Sequence, residues 1–298
     1  MFACAAIALS LGACSQVPDP EENVESLTAV TESPPEPEAT ERYSVEADPE
    51  PMVEAQDCDP YLLVTARGTG EPSKGQLLGP VSRAIAKARP EQVRTIDLDY
   101  PADTDVKLGG TIGVRLLIDT LNVQAEACPA QRFVLLGYSQ GALVIGDALS
   151  DPASRLVGES TGELEPEAVD RILAVVLYGN PRFSGGEAYA EGDYVEGIGG
   201  ILPRDPGVLD AFAERLRDYC VAGDFVCQSS LELDESGHVA YFDNGMQQDG
   251  AAFAIARLPP PSSAPAAAEA WPSAPDQTEQ SGSGRPQQPG QSERAEVD

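Results

Sequence analysis

The chain has 298 residues, 49 acidic and 19 basic side chains, a formal net charge of -30 at pH 7 and an isoelectric point near 4.1. That length allows one or two domains with a sizeable core. The acidic balance argues against nucleic-acid binding, which needs clustered Lys and Arg, and against electrostatic docking to anionic lipid. The one histidine, His238, excludes any site that needs two imidazoles.

Residues 1–14 (MFACAAIALSLGAC) are uncharged and apolar, and too short to cross a bilayer as a helix, which takes about 20 residues. They read as the apolar part of an export signal. The positively charged start of such a signal is missing, which points to an initiation codon further upstream. Leu11-Gly12-Ala13-Cys14 resembles a bacterial lipobox, with cleavage before Cys14 and lipidation of that cysteine. Plain secretion and an unprocessed core segment are the alternatives. Residues 15–57 hold 13 acidic side chains and a single basic one, Arg42, with scattered prolines and no sustained apolar period. Self-repulsion and proline stiffness predict an extended, solvated linker. Residues 259–298 are rich in Pro, Ala and Gln and predict a disordered tail, with Trp271 an incidental aromatic rather than a docking residue.

The stretch between them, 58–258, carries 30 acidic and 16 basic groups, a charge of -14, and suits a single domain. Within it, strand-like and helix-like runs alternate. Strands are predicted at 61–66, 93–98, 132–137 and 172–178, and helices at 79–88, 109–127, 141–149 and 208–218. In the second helix, Ile112, Leu116 and Val123 mark one apolar face. Continuous apolar strands separated by helices predict a three-layer α/β/α sandwich around a central parallel sheet.

Gly137-Tyr138-Ser139-Gln140-Gly141 fits G-x-S-x-G between an apolar strand and a helix. Such a turn raises a serine hydroxyl above the sheet and aims helix N-terminal N–H groups at the same point. A serine needs a base, and His238 is the one imidazole available. The imidazole in turn needs an acid to fix its tautomer. Asp224, between Cys220 and Cys227, is the best candidate, and the order Ser139, Asp224, His238 matches α/β-hydrolases; Asp218, Asp234 and Glu235 are rivals.

Four features in order resemble the cutinase family of serine esterases: a cysteine before a strand ending Ala66-Arg67-Gly68-Thr69, the G-x-S-x-G turn, Cys220 to Cys227 around Asp224, and Gly237-His238-Val239-Ala240-Tyr241. The resemblance covers 58–258 and neither tail. It implies a compact α/β-hydrolase without a large lid, acting on esters of aliphatic acids, with Ser139 as nucleophile, Asp224 as orienting acid and His238 as base. It also implies an oxyanion hole from the N–H groups of Gln140 and Thr69; threonine stands where fungal members carry serine. Loss of one such donor typically costs about 10²–10³ in turnover.

Cys58, Cys128, Cys220 and Cys227 allow three pairings; the resemblance implies Cys58–Cys128 and Cys220–Cys227. Their spacing lacks paired C-x₂-C units, so no metal is expected, nor any cofactor. Disulfides fit an extracytoplasmic location, secreted or anchored to the envelope through Cys14. The expected partner is an ester substrate (lipid, polyester or acylated polymer) met by a monomer. Hydrolysis is expected to fall below about pH 6, where imidazole protonates. Aliphatics near Gly199-Gly200-Ile201-Leu202-Pro203 are candidates for an acyl groove. An acetylxylan esterase, an envelope phospholipase or thioesterase, and a non-catalytic surface protein are the competing readings.

Overall fold

The computed structural model describes residues 19–31, 41–73, 77–231 and 233–259. The export signal with Cys14, and the tail from 260 onward with Trp271, lie outside the described residues.

Six strands form one parallel sheet: β1 (Tyr61–Ala66), β2 (Val93–Asp97), β3 (Arg132–Tyr138), β4 (Ile172–Tyr178), β5 (Ala190–Gly192) and β6 (Leu216–Cys220). Their spatial order is β2-β1-β3-β4-β6-β5, and every neighbouring pair runs parallel. Alternation along the strands separates two cores. Leu62, Val64 and Ala66 of β1 and Phe133 and Leu135 of β3 face one side, with α3 (Val106–Ala127) and α4 (Gln140–Ala148) packed on them. Tyr61, Leu63, Val134, Leu136, Val176 and Tyr178 face the other, covered by α2 (Leu78–Ala88) and α7 (Met246–Arg257). The predicted three-layer α/β/α architecture is therefore the observed one.

Three expectations need correction. Residues 208–218 are not a helix: Asp210–Arg215 make a short 3-10 turn and Leu216–Cys220 become β6. Apolar residues at 208, 209, 212 and 216 imitate a helical period, but pairing with the open edge of β4 wins. Helix α3 buries Val114, Leu117, Ile118 and Leu121, while Ile112 and Leu116 are only half-buried. The described part of 15–57 is only partly a solvated linker: most of 45–57 is exposed, but 19–31 fold onto the core. Pro20–Thr28 form α1, capped by Asp19, and Leu27 and Val30 enter the core beside α3.

The outer side of α3 explains that docking. Arg115, buried and paired with Asp119 at 2.7 Å, donates to the carbonyls of Tyr43 and Glu50. Asp119 accepts the N–H of Met52, and Gln124 that of Gln56. Buried polar groups must be partnered, and here α3 finds its partners in the backbone of 43–56. Cys58–Cys128 then closes a loop of 70 residues and contributes about 4 kcal/mol by the chain-entropy estimate.

Candidate active site

The site stands over the carboxyl ends of β1, β3, β4 and β6. Ser139 sits between β3 and α4 at φ 53° and ψ -119°, a strained conformation for a residue other than glycine. Its N–H is held by the carbonyl of Tyr178 at 2.9 Å. A Cβ on Gly141 would fall on the carbonyl of Ala66, so the helix approaches β1 only with glycine there.

The short helix α6 (Glu235–Val239) presents His238, and the loop after β6 presents Asp224. Nε2 of His238 lies 2.9 Å from Ser139 Oγ. Nδ1 lies 2.9 and 3.0 Å from the two oxygens of Asp224, so the Nδ1–H tautomer donates to the carboxylate and leaves Nε2 to accept the hydroxyl proton. All three residues are buried. Two rings pack on the imidazole: Tyr138 stacks on it with centroids 4.9 Å apart, and Phe225 leans against it at 5.1 Å. Tyr138 also donates its hydroxyl to the carbonyl of His238 at 3.0 Å.

Burial alone would raise the Asp224 carboxyl, but the field of His238 and the bonds from His238, Tyr241 and Val226 outweigh it. The carboxyl is held below its ordinary value. The rivals fall away by position. Asp218 is buried in β6 and bonded to Asn180; Asp234 is the exposed cap of α6; Glu235 is exposed in its first turn. Cys220–Cys227 closes the Asp224 loop, as expected.

Gln140 is the first residue of α4, so its N–H has no acceptor within the helix. Thr69 stands beside it, and its hydroxyl donates to the Gln140 side-chain carbonyl at 3.2 Å. The Thr69 hydroxyl is therefore already engaged. Sequence reasoning missed the brace under this loop. Arg67 is buried and donates to the carbonyls of Glu71, Leu98, Tyr100 and Pro101, while the Glu71 carboxylate takes the N–H groups of Gly68 and Leu77. An arginine immediately after an apolar strand was the available signal.

The two aliphatics named for an acyl groove are half-buried. Ile201 and Leu202 turn inward and pack on the core. The exposed large apolar side chains among the described residues are Val45, Met52, Val195, Ile198, Leu231, Leu233, Val239 and Phe242. The 195–199 and 228–229 segments are tied by Gln228, which bonds Val195 and Ile198, and by Ser229, which bonds Gly199.

The Cutinase family model matches residues 57–258. The chain belongs to the cutinase family. These proteins are carboxylic ester hydrolases, and the present chain shares that class and their α/β-hydrolase fold. It is 34% identical over 203 residues to a protein named cutinase from Kineococcus radiotolerans, covering 67% of this chain but 62% of the relative. It is 32% identical over 205 residues to phospholipase Culp4 of Mycobacterium tuberculosis, covering 67% and 80%. Among solved structures, the catalytic core of acetyl xylan esterase from Trichoderma reesei superposes with a TM-score of 0.59 and 25% identity, covering 67% of this chain and all of that one. Family and disulfides together place the cutinase-family domain outside the cytoplasm. No helix among the described residues is long and apolar enough to cross a membrane.

Proposed function

We propose that this cutinase-family protein is an exported serine esterase that hydrolyses esters of aliphatic acids through a covalent acyl-enzyme. The observation that carries the reading is the unbroken relay from the strained Ser139 hydroxyl to Nε2 of His238, and from Nδ1 to Asp224.

In this reading His238 takes the Ser139 proton as Oγ attacks the ester carbonyl carbon, and Asp224 steadies the imidazolium that forms. The negative oxygen is met by the N–H groups of Gln140 and Thr69. His238 then gives its proton to the departing alcohol, leaving the acyl group on Ser139. A water molecule repeats the sequence, losing its proton to His238, and frees the acid. Every proton moves between Ser139, His238, alcohol and water, so the cycle calls for no metal or cofactor. The exposed apolar side chains Val195, Ile198, Val239 and Phe242 favour an apolar acyl or polyester surface. The protein acts as a monomer, secreted or tethered through lipidated Cys14.

A serine-reactive fluorophosphonate tests the reading. The native chain takes the label and Ser139→Ala does not; absence of label on both supports a non-catalytic surface role. The second reading, an acetylxylan esterase or envelope phospholipase, is favoured by the likeness to the Trichoderma core and to Culp4. Comparing p-nitrophenyl acetate, longer acyl esters, a phospholipid and acetylated xylan on the purified chain separates these substrates.

A further inference from the structure

The Asp224 carboxylate receives a bond that the Ser-His-Asp relay does not require. Tyr241, fully buried, places its hydroxyl 2.7 Å from Oδ2. Tyr241 lies three residues beyond His238, in the 3-10 turn Ala240–Phe242 that directly continues α6. The element that carries the base therefore holds the acid twice, once through the imidazole and once through the phenol. Gly237 completes the fit: a Cβ there would strike Gly223 and the N–H of Asp224, so the two backbones lie against each other.

The phenol is fixed from every side. Its ring stands edge-on to Tyr138 at 6.4 Å and to Tyr178 at 5.7 Å, and its oxygen lies 3.3 Å from Cys227 Sγ. Burial, with the neighbouring Asp224 charge, pushes its ionisation well above the ordinary phenol value, so it remains a neutral donor. On the other oxygen, Oδ1, the N–H groups of Val226 and Cys227 bond at 2.8 and 3.3 Å. Each carboxylate oxygen thus has a fixed donor besides the imidazole.

We propose that Tyr241 is a positioning residue of the esterase reaction: its hydroxyl locks the rotation of the Asp224 carboxylate and draws charge from Oδ2, setting how strongly Asp224 holds the protonated imidazole. The proposal rests on the serine-esterase reading. The other titratable groups near this pair are Tyr138, stacked on the imidazole, and the carboxylates of Glu71 and Glu235, whose fields reach Tyr138. Glu71 is fastened to Gly68 and Leu77, and Glu235 is exposed; neither bonds Asp224.

The test compares pH profiles of kcat/KM for a p-nitrophenyl ester in the native chain and its variants, after fluorophosphonate labelling has established that native Ser139 is reactive. Failure of that labelling removes the esterase reading itself, whereas the pH profiles judge Tyr241 alone. Tyr241→Phe keeps the ring and loses the donor. Its kcat falls about tenfold, the order expected for one bond to a charged group, with KM unchanged. Its acid limb moves up by roughly half a pH unit, because the carboxylate then faces the imidazolium with more of its charge. Placing 3-fluorotyrosine at position 241, a better donor of the same shape, moves the limb the opposite way and does not depend on the Phe variant folding. Tyr178→Phe, whose hydroxyl bonds Met246 and not Asp224, leaves the limb in place. An acid limb that stays put in both position-241 variants, or that shifts downward in Tyr241→Phe, overturns the proposal even if kcat drops.

Discussion

Asp147 and Asp224 are both completely shut from solvent, yet their charges are balanced by opposite means. Asp147, near the end of α4, faces two guanidinium groups: Arg182 bonds Oδ1 at 2.7 Å, and Arg204 stands 2.9 Å from the same oxygen. Its other oxygen accepts the N–H groups of Leu156 and Val157. Those cations never lose their charge near neutral pH, so the cluster is fixed and serves to clamp the 150–157 and 180–204 loops to α4. Asp224 instead faces an imidazole, the group that takes up and returns a proton in the proposed reaction. The same buried carboxylate is structural in one place and suited to chemistry in the other, according to whether its partner can give up a proton.

Substitution of the two carboxylates separates the roles. Asp224→Asn keeps the shape of the site but no longer favours the Nδ1–H tautomer; kcat falls about 10⁴-fold while the thermal midpoint moves little. A loss below tenfold would mean that another acid steadies the imidazole. Asp147→Asn does the reverse. It leaves Arg182 and Arg204 buried without their anion, and the chain loses about 3–5 kcal/mol in urea unfolding. A loss under about 1 kcal/mol would show that the loops are held by packing alone.

Asp218 sharpens the comparison, because it has neither kind of compensation in full. Burial pushes its carboxyl from 3.8 up to about 7, against the pull of the Asn180 bond and the more distant Arg204. The folded chain therefore holds this proton more tightly than the unfolded one. That favours folding at pH below about 4, and the advantage is lost as pH rises through 7. Asp218→Asn is accordingly more stable than the native chain at pH 8, on the order of 2–4 kcal/mol, with the gap closing toward pH 4. Equal unfolding midpoints at both pH values would contradict this.

The smallest effect is expected at Thr69. Its hydroxyl proton goes to Gln140, so Thr69→Val lowers kcat less than tenfold. A loss of about 10²–10³ would make the hydroxyl itself an oxyanion donor.

The range of the forces decided how much was legible in the chain. The elbow was readable because strand, turn and helix are contiguous and the glycines are there for local clearance at Gly141. Strands Tyr61–Ala66 and Ile172–Tyr178 match prediction to the residue, since continuous apolar runs need burial on both faces. Residues 208–220 misled because their strand exists only through pairing with β4, a non-local event. The docking of 41–57 was hidden for a similar reason: Arg115, Asp119 and Gln124 reveal themselves as backbone partners only once α3 is folded. Tyr241 stood in the sequence only as the end of Gly237-His238-Val239-Ala240-Tyr241, and its bond to Asp224 depends on a non-local approach.

The reactivity of one hydroxyl tests the account most directly. After reaction of the native chain with a fluorophosphonate, peptide mass mapping is predicted to find a single adduct, on Ser139, formed far more slowly in His238→Ala. An adduct on another residue, or a Ser139 adduct formed equally fast without the imidazole, would contradict it.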